Sequence, residues 1–172
     1  HRLITRNDRE TLSIGKNCLL TFIDSPGHSN HHFSIYHSEA NGIFSGDTAG
    51  IYYPQLHRTG VEFYLPTTSP NQFDPDKMLH SMAQFKELNA DRIFFGHYGM
   101  SENPNEAYKQ VEAWLEVFLS EAEAVFSDEG DFNQQADLTS KRLFNQVQGY
   151  LREKGIRDDD PIYELLSLDL EV

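Results

Sequence analysis

Three side chains of the kinds that hold metal ions, His28, Asp47 and His97, each follow an apolar run that reads as a β-strand, and each sits in a turn containing glycine. Neutral imidazole and carboxylate suit zinc, iron or manganese, and a carboxylate with two oxygens can bridge two cations while each imidazole binds one. Gly27, Gly46, Gly96 and Gly99 allow the loops to turn such side chains inward. A loop histidine on its own is more often solvated than ligating, and aspartate after glycine is commonly a turn former. What gives the three residues a joint meaning is their placement after three strands, because open α/β proteins collect their sites at one edge of a sheet.

The elements that must position them follow from the pattern. TLSIGKNCLLTFID places apolar Leu12, Ile14, Leu20 and Phe22 in alternation with polar residues, interrupted by Gly15-Lys16-Asn17, which predicts a hairpin whose second strand ends at Ile23, ahead of His28. Phe33 to Phe44, turning at Glu39-Ala40-Asn41-Gly42, predicts a second hairpin that delivers Asp47 onto a loop. Between Tyr52 and Asp76, Pro54, Pro66, Pro70 and Pro75 disfavour regular structure, and the stretch reads as a wall of the site. Asp74 or Asp76 then caps a helix carrying Met78, Met82, Phe85 and Leu88 and ending near Asn89, after which Arg92 to Phe95 forms a short buried strand leading to His97. Asn103-Pro104 opens a long helix with Tyr108, Val111, Trp114, Leu115 and Phe118 on its apolar face. A further helix from about Ala136 to Lys154 is expected to bury Leu138, Leu143, Val147 and Leu151, and a short one covers Ile162 to Leu168. Strand, helix and strand in alternation imply an α/β sandwich, with residues 1–128 as the main domain and 129–172 as a helical extension.

Composition narrows the partners. Fourteen basic residues against 27 acidic ones give a net charge of −13, which opposes nucleic-acid phosphates and anionic lipid, so a nucleic-acid partner is not expected. The one cysteine, Cys18, fits a reducing, cytoplasmic setting. No apolar run reaches the roughly 18 residues of a membrane span, so no membrane partner is expected, and HRLITRNDRE lacks the apolar stretch of a signal peptide. His1 stands where an initiator Met would, so the chain is expected to be a processed form or a piece of a longer protein.

Asp24-Ser-Pro-Gly-His28, Phe44-Ser-Gly-Asp47 and Phe95-Gly-His97 resemble, in order and spacing, the Thr-Pro-Gly-His, Phe-x-Gly-Asp and final-histidine motifs of the metallo-β-lactamase-fold superfamily. The stretch from Leu65 to Gly99 further resembles poorly characterised hydrolases of that superfamily, and the similarity runs from about Thr11 to Phe118. The resemblance implies a four-layer αβ/βα sandwich and two divalent metal ions, zinc first and iron or manganese as alternatives. It implies that His28 binds one metal, Asp47 bridges and His97 binds the other, and that a metal-bound hydroxide attacks a small ester, thioester or lactone. The His-x-His-x-Asp-His string that supplies the remaining ligands in the superfamily is absent here. The chain therefore reads as the C-terminal half of the fold, inactive or weak in metal until the other half is supplied. An iron-dependent redox member of the same fold, similar to a sulfur dioxygenase, shares His28 and Asp47. A non-catalytic binding or dimerisation module, using the helices from Asp131 onward, is the reading outside enzymology.

Other polar residues take supporting parts. His32 is expected to orient the ligand loop by hydrogen bonding, His31, His37 and His80 to face solvent, and Tyr98 to meet substrate or an oxyanion. Asp24 either orients a metal histidine or caps a turn, and His57, Tyr52 and Tyr53 lie where substrate could touch the wall. Ser25 and Ser29 lack a nucleophile elbow, and Cys18 lacks an activating partner in the sequence, so none of the three is expected to act as a nucleophile.

Overall fold

The computed structural model describes residues 4–68, 71–127 and 130–170. The chain divides into two compact units, residues 1–52 with 63–112 and residues 53–62 with 113–172. The expected domain limit at residue 128 and Pro70 of the expected wall lie outside the described residues.

In the first unit, β1 (Thr11–Gly15), β2 (Cys18–Asp24), β3 (Phe33–His37), β4 (Gly42–Gly46), β7 (Arg92–Phe95) and β8 (Met100–Ser101) form one sheet in the order β1-β2-β3-β4-β7-β8. Both expected hairpins are present as antiparallel pairs, β1 with β2 and β3 with β4. Among the described residues the only parallel pair is β4 with β7, which brings the outgoing ends of the strands bearing Asp47 and His97 to the same edge. Between them the chain makes a two-stranded ribbon, β5 (Ile51–Tyr52) with β6 (Tyr64–Leu65), and helix α1 (Pro75–Glu87). The proline-bearing stretch is thus more regular than expected, because Pro54 and Pro75 each open a helix and Pro66 falls just after the paired dipeptide Tyr64–Leu65.

Period-two alternation gives the sheet two distinct faces. One carries Ile23, Ser34, Ile43, Ser45 and Ile93, all fully buried, and Met78, Met82 and Phe85 of α1 with Ala107, Tyr108 and Val111 of helix α2 (Pro104–Val125) complete this core. The other carries the cross-strand row Phe22, Ile35, Phe44, Phe94 and Met100, with Phe44 and Phe94 stacked at 4.5 Å and Phe44 and Met100 exposed.

The second unit holds a 3-10 helix (Pro54–Thr59), the later turns of α2, α3 (Phe132–Glu153) and α4 (Ile162–Asp169). Asp131 caps α3 through Gln134 N–H, and the helix begins at Phe132, four residues before the expected Ala136. Leu143, Val147 and Leu151 are buried as expected, but Leu138 is 49% exposed, because the buried stripe runs through Ala136 and Thr139 instead. Glu121 accepts hydrogen bonds from Arg142 Nε and Gln146 Nε2, and these hold its carboxyl below the ordinary glutamate range. A depressed folded pKa stabilises the fold at neutral pH and is lost as pH falls through that value. Glu121→Gln is accordingly expected to flatten the acid limb of denaturant stability below the ordinary glutamate range and leave the neutral limb parallel to wild type. Among the described residues no helix is long and apolar enough to cross a membrane.

Candidate metal centre

Each of the three expected ligands arrives on a strand end. His28 follows β2 in a loop whose buried Gly27 packs against α1, with Gly27 O accepting Asp74 N–H at 2.8 Å and Pro26 O accepting Ser81 Oγ–H at 2.7 Å. Asp47 follows β4 directly. His97 lies at the tip of the β7–β8 turn, where Phe95 N–H reaches Gly99 O and Tyr98 adopts φ 67°, a left-handed value that a non-glycine residue holds only when the surrounding turn imposes it.

The structure brings the three together around one carboxylate. His28 Nε2 is 3.6 Å from Asp47 Oδ2, and His97 Nε2 is 3.4 Å from Asp47 Oδ1. Oδ1 is buried and has no hydrogen-bond partner, a costly state for a carboxylate oxygen unless a cation stands beside it. Gly96 leaves the space that Oδ1 fills: a Cβ there would lie 2.3 Å from it. Among the described residues no group of three metal-ligating side chains closes on a single point. The arrangement is two pairs sharing Asp47, which is the donor pattern of a bridging carboxylate short of further ligands.

The backbone of Asp47 is held from both sides. Its N–H donates to His32 Nε2 at 3.1 Å, so His32 carries its proton on Nδ1, facing Ser25 Oγ at 3.3 Å; Ser25 reaches Ser34 Oγ at 2.7 Å, and Ser34 donates to Ser45 O. Burial pushes the His32 imidazole toward the neutral form this relay requires. On the other side, Thr67 donates to Asp47 O at 2.7 Å and lies 3.0 Å from His28 Nδ1. His32 thus supports the ligand loops by hydrogen bonding, whereas nothing in the local sequence around Thr67, within the proline-bearing stretch, singles it out.

Several neighbours differ from expectation. His37 does not simply face solvent: its Nδ1 accepts Ala40 N–H and its Nε2 lies 3.3 Å from the buried Cys18 Sγ, a partner that the separation of β2 and β3 in sequence conceals. Tyr52 and Tyr53 are buried in packing, Tyr52 stacked on Tyr64 and Tyr53 donating to Asp169 Oδ2. Asp24 is exposed and pairs with Phe33 in the sheet, its N–H donating to Asp8 Oδ1. Tyr98 is exposed beside His97, ring centroids 5.9 Å apart.

The sequence model of the metallo-beta-lactamase superfamily matches residues 10–97, just over half of the chain and the whole span from β1 to His97. The chain belongs to this superfamily. Its fold agrees with that of a metallo-beta-lactamase family protein from Thermus thermophilus, with a TM-score of 0.61 at 20% identity, over 90% of this chain and 50% of that one. An archaeal metallo-beta-lactamase superfamily protein from Sulfolobus tokodaii is similar with a TM-score of 0.48 at 23% identity, over 87% of this chain and 52% of that one. The chain spans about half the length of these superfamily members. No curated protein matches it.

Proposed function

We propose that this superfamily member carries the C-terminal part of a dinuclear metallohydrolase centre acting on a small ester, thioester or lactone. The observation that supports it best is the buried, unpartnered Oδ1 of Asp47 with an imidazole Nε2 facing each carboxylate oxygen. In this reading His28 and Asp47 hold one cation and Asp47 and His97 the other, with the remaining donors supplied from outside this chain. Divalent cations held there would supply an acidified water and offset developing negative charge on the substrate, and zinc suits the nitrogen and oxygen donors present. In this reading Tyr98, exposed beside His97, hydrogen-bonds the substrate; its exposure and its proximity to His97 support the role. The net charge of −13 argues against a phosphate-rich substrate such as nucleic acid, and a cytoplasmic, homodimeric protein acting on a small molecule completes the proposal.

Metal analysis with a substrate panel tests it. The protein at its full natural length is expected to hold about two zinc ions per chain and to hydrolyse a thioester, lactone or carboxylic ester, with activity lost on chelation and restored by zinc. Iron as the resident metal, with oxygen consumed and no hydrolysis, would overturn the hydrolase in favour of redox chemistry on the same ligands.

A further inference from the structure

We propose that Thr67 is a positioning residue that selects which nitrogen of His28 faces the metal while fixing the main chain of Asp47. The inference rests on the metal centre proposed above, and it follows from counting protons. A carbonyl oxygen can only accept, so the 2.7 Å contact from Thr67 Oγ1 to Asp47 O consumes the one hydroxyl proton. The 3.0 Å contact between the same oxygen and His28 Nδ1 must then run the other way, with Nδ1–H donating to a hydroxyl lone pair. In the neutral ring this leaves Nε2 unprotonated, and Nε2 is the atom 3.6 Å from Asp47 Oδ2. A lone pair facing a carboxylate oxygen is repulsive with nothing between them and becomes ligation when a cation is placed there.

Thr67 is well built for the task. It is only 7% exposed, so water cannot readily replace its hydroxyl, and its β-branch restricts χ1. One hydroxyl therefore couples two ligands: it sets the tautomer of His28 and, through the carbonyl, anchors Asp47 opposite the N–H that His32 holds. Such partners are known to tune metal sites because they orient the imidazole and raise its basicity.

The test reads the proton directly. In the 15N-labelled 172-residue chain, without metal and at a pH where imidazole is neutral, long-range 1H–15N spectra show which ring nitrogen of each histidine is protonated. His28 is expected as the Nδ1–H tautomer in wild type and in Thr67→Ser, and to lose that preference in Thr67→Val, which keeps the shape and removes the hydroxyl. Zn2+ titrations of the protein at its full natural length are expected to show affinity weakened by about 10- to 100-fold in Thr67→Val and restored in Thr67→Ser. An Nε2–H tautomer at His28 in wild type, or an unchanged Nδ1–H tautomer in Thr67→Val, would overturn the proposal. The wild-type spectrum can overturn it alone should the valine variant not fold. Absence of Zn2+ binding in the protein at its full natural length, with His28 in the Nδ1–H form, would instead count against the metal centre and leave the positioning by Thr67 intact.

Discussion

Replacing Asp47 by asparagine is expected to remove zinc binding from both halves of the centre at once. Each imidazole faces a different oxygen of this one side chain, Oδ2 for His28 and Oδ1 for His97, so no other residue shares the loss. The affinity of the full-length protein should fall by more than about 100-fold, beyond what loss of an outer-shell partner costs, and hydrolysis should fall with it. The metal-free chain is expected to respond in the opposite sense. Oδ1 is buried without a partner, so exchanging a charged oxygen pair for a neutral amide of the same shape relieves an unfavourable group and should leave stability unchanged or raise it by up to about 1 kcal/mol. Thermal unfolding with and without Zn2+ separates the two effects: wild type gains with zinc, and Asp47→Asn starts level or higher and gains nothing. A variant that melts lower without metal yet still gains with zinc would remove Asp47 from the bridging role.

The parts of this arrangement that can be read from sequence are those determined by local periodicity and turn chemistry. The alternation in Cys18–Asp24 and Phe33–His37, broken by short polar turns, is sufficient to place both hairpins, and each strand's end places His28 or Asp47. Helix α1 is equally legible, since Asp74 accepts Lys77 N–H as its cap and Pro75 follows at the first position. What escapes the sequence are features made by contact between segments distant in the chain that no repeated strand-end placement announces. Strands of two residues such as β5, β6 and β8 carry too little pattern to announce themselves. Thr67 acquires its role only because the chain returns past the ends of β2 and β4, 39 residues after His28 and 20 after Asp47. The pairing of Cys18 with His37 depends on the register of β2 against β3, which neither strand specifies alone. Leu138 departs from expectation for a different reason: helical periodicity finds a stripe but does not locate its edge when a small residue such as Ala136 occupies the buried position.

Gly27→Ala is expected to be the most destabilising single methyl addition in the ligand loops. A Cβ at this position would lie 2.4 Å from Met78 Cα and 2.6 Å from Met78 N, which are backbone atoms of α1 that no rotamer change can move, and Gly27 has φ 143°, outside the range of ordinary L-residues. Strain of this kind costs about 1–3 kcal/mol and overpacking of a close contact about as much again, so a loss of roughly 3–5 kcal/mol is expected in denaturant unfolding. The position also bears on the metal centre. Gly27 O holds Asp74 N–H, Pro26 O holds Ser81 Oγ–H, and the next residue along is His28, so the first turns of α1 serve as the rigid bed of the ligand loop. Forcing helix and loop apart should displace His28 from Asp47, and the folded fraction of the variant should bind Zn2+ more weakly than wild type. Gly149 supplies the contrast, because it lies within α3, where an added Cβ meets nothing within 4 Å. Gly149→Ala is expected to gain about 0.5–1 kcal/mol from helix propensity with zinc affinity unchanged. Should Gly27→Ala unfold at the wild-type midpoint, the contact with Met78 would not be what seats the loop, and the placement of His28 would have to come from Thr67 and the sheet edge alone.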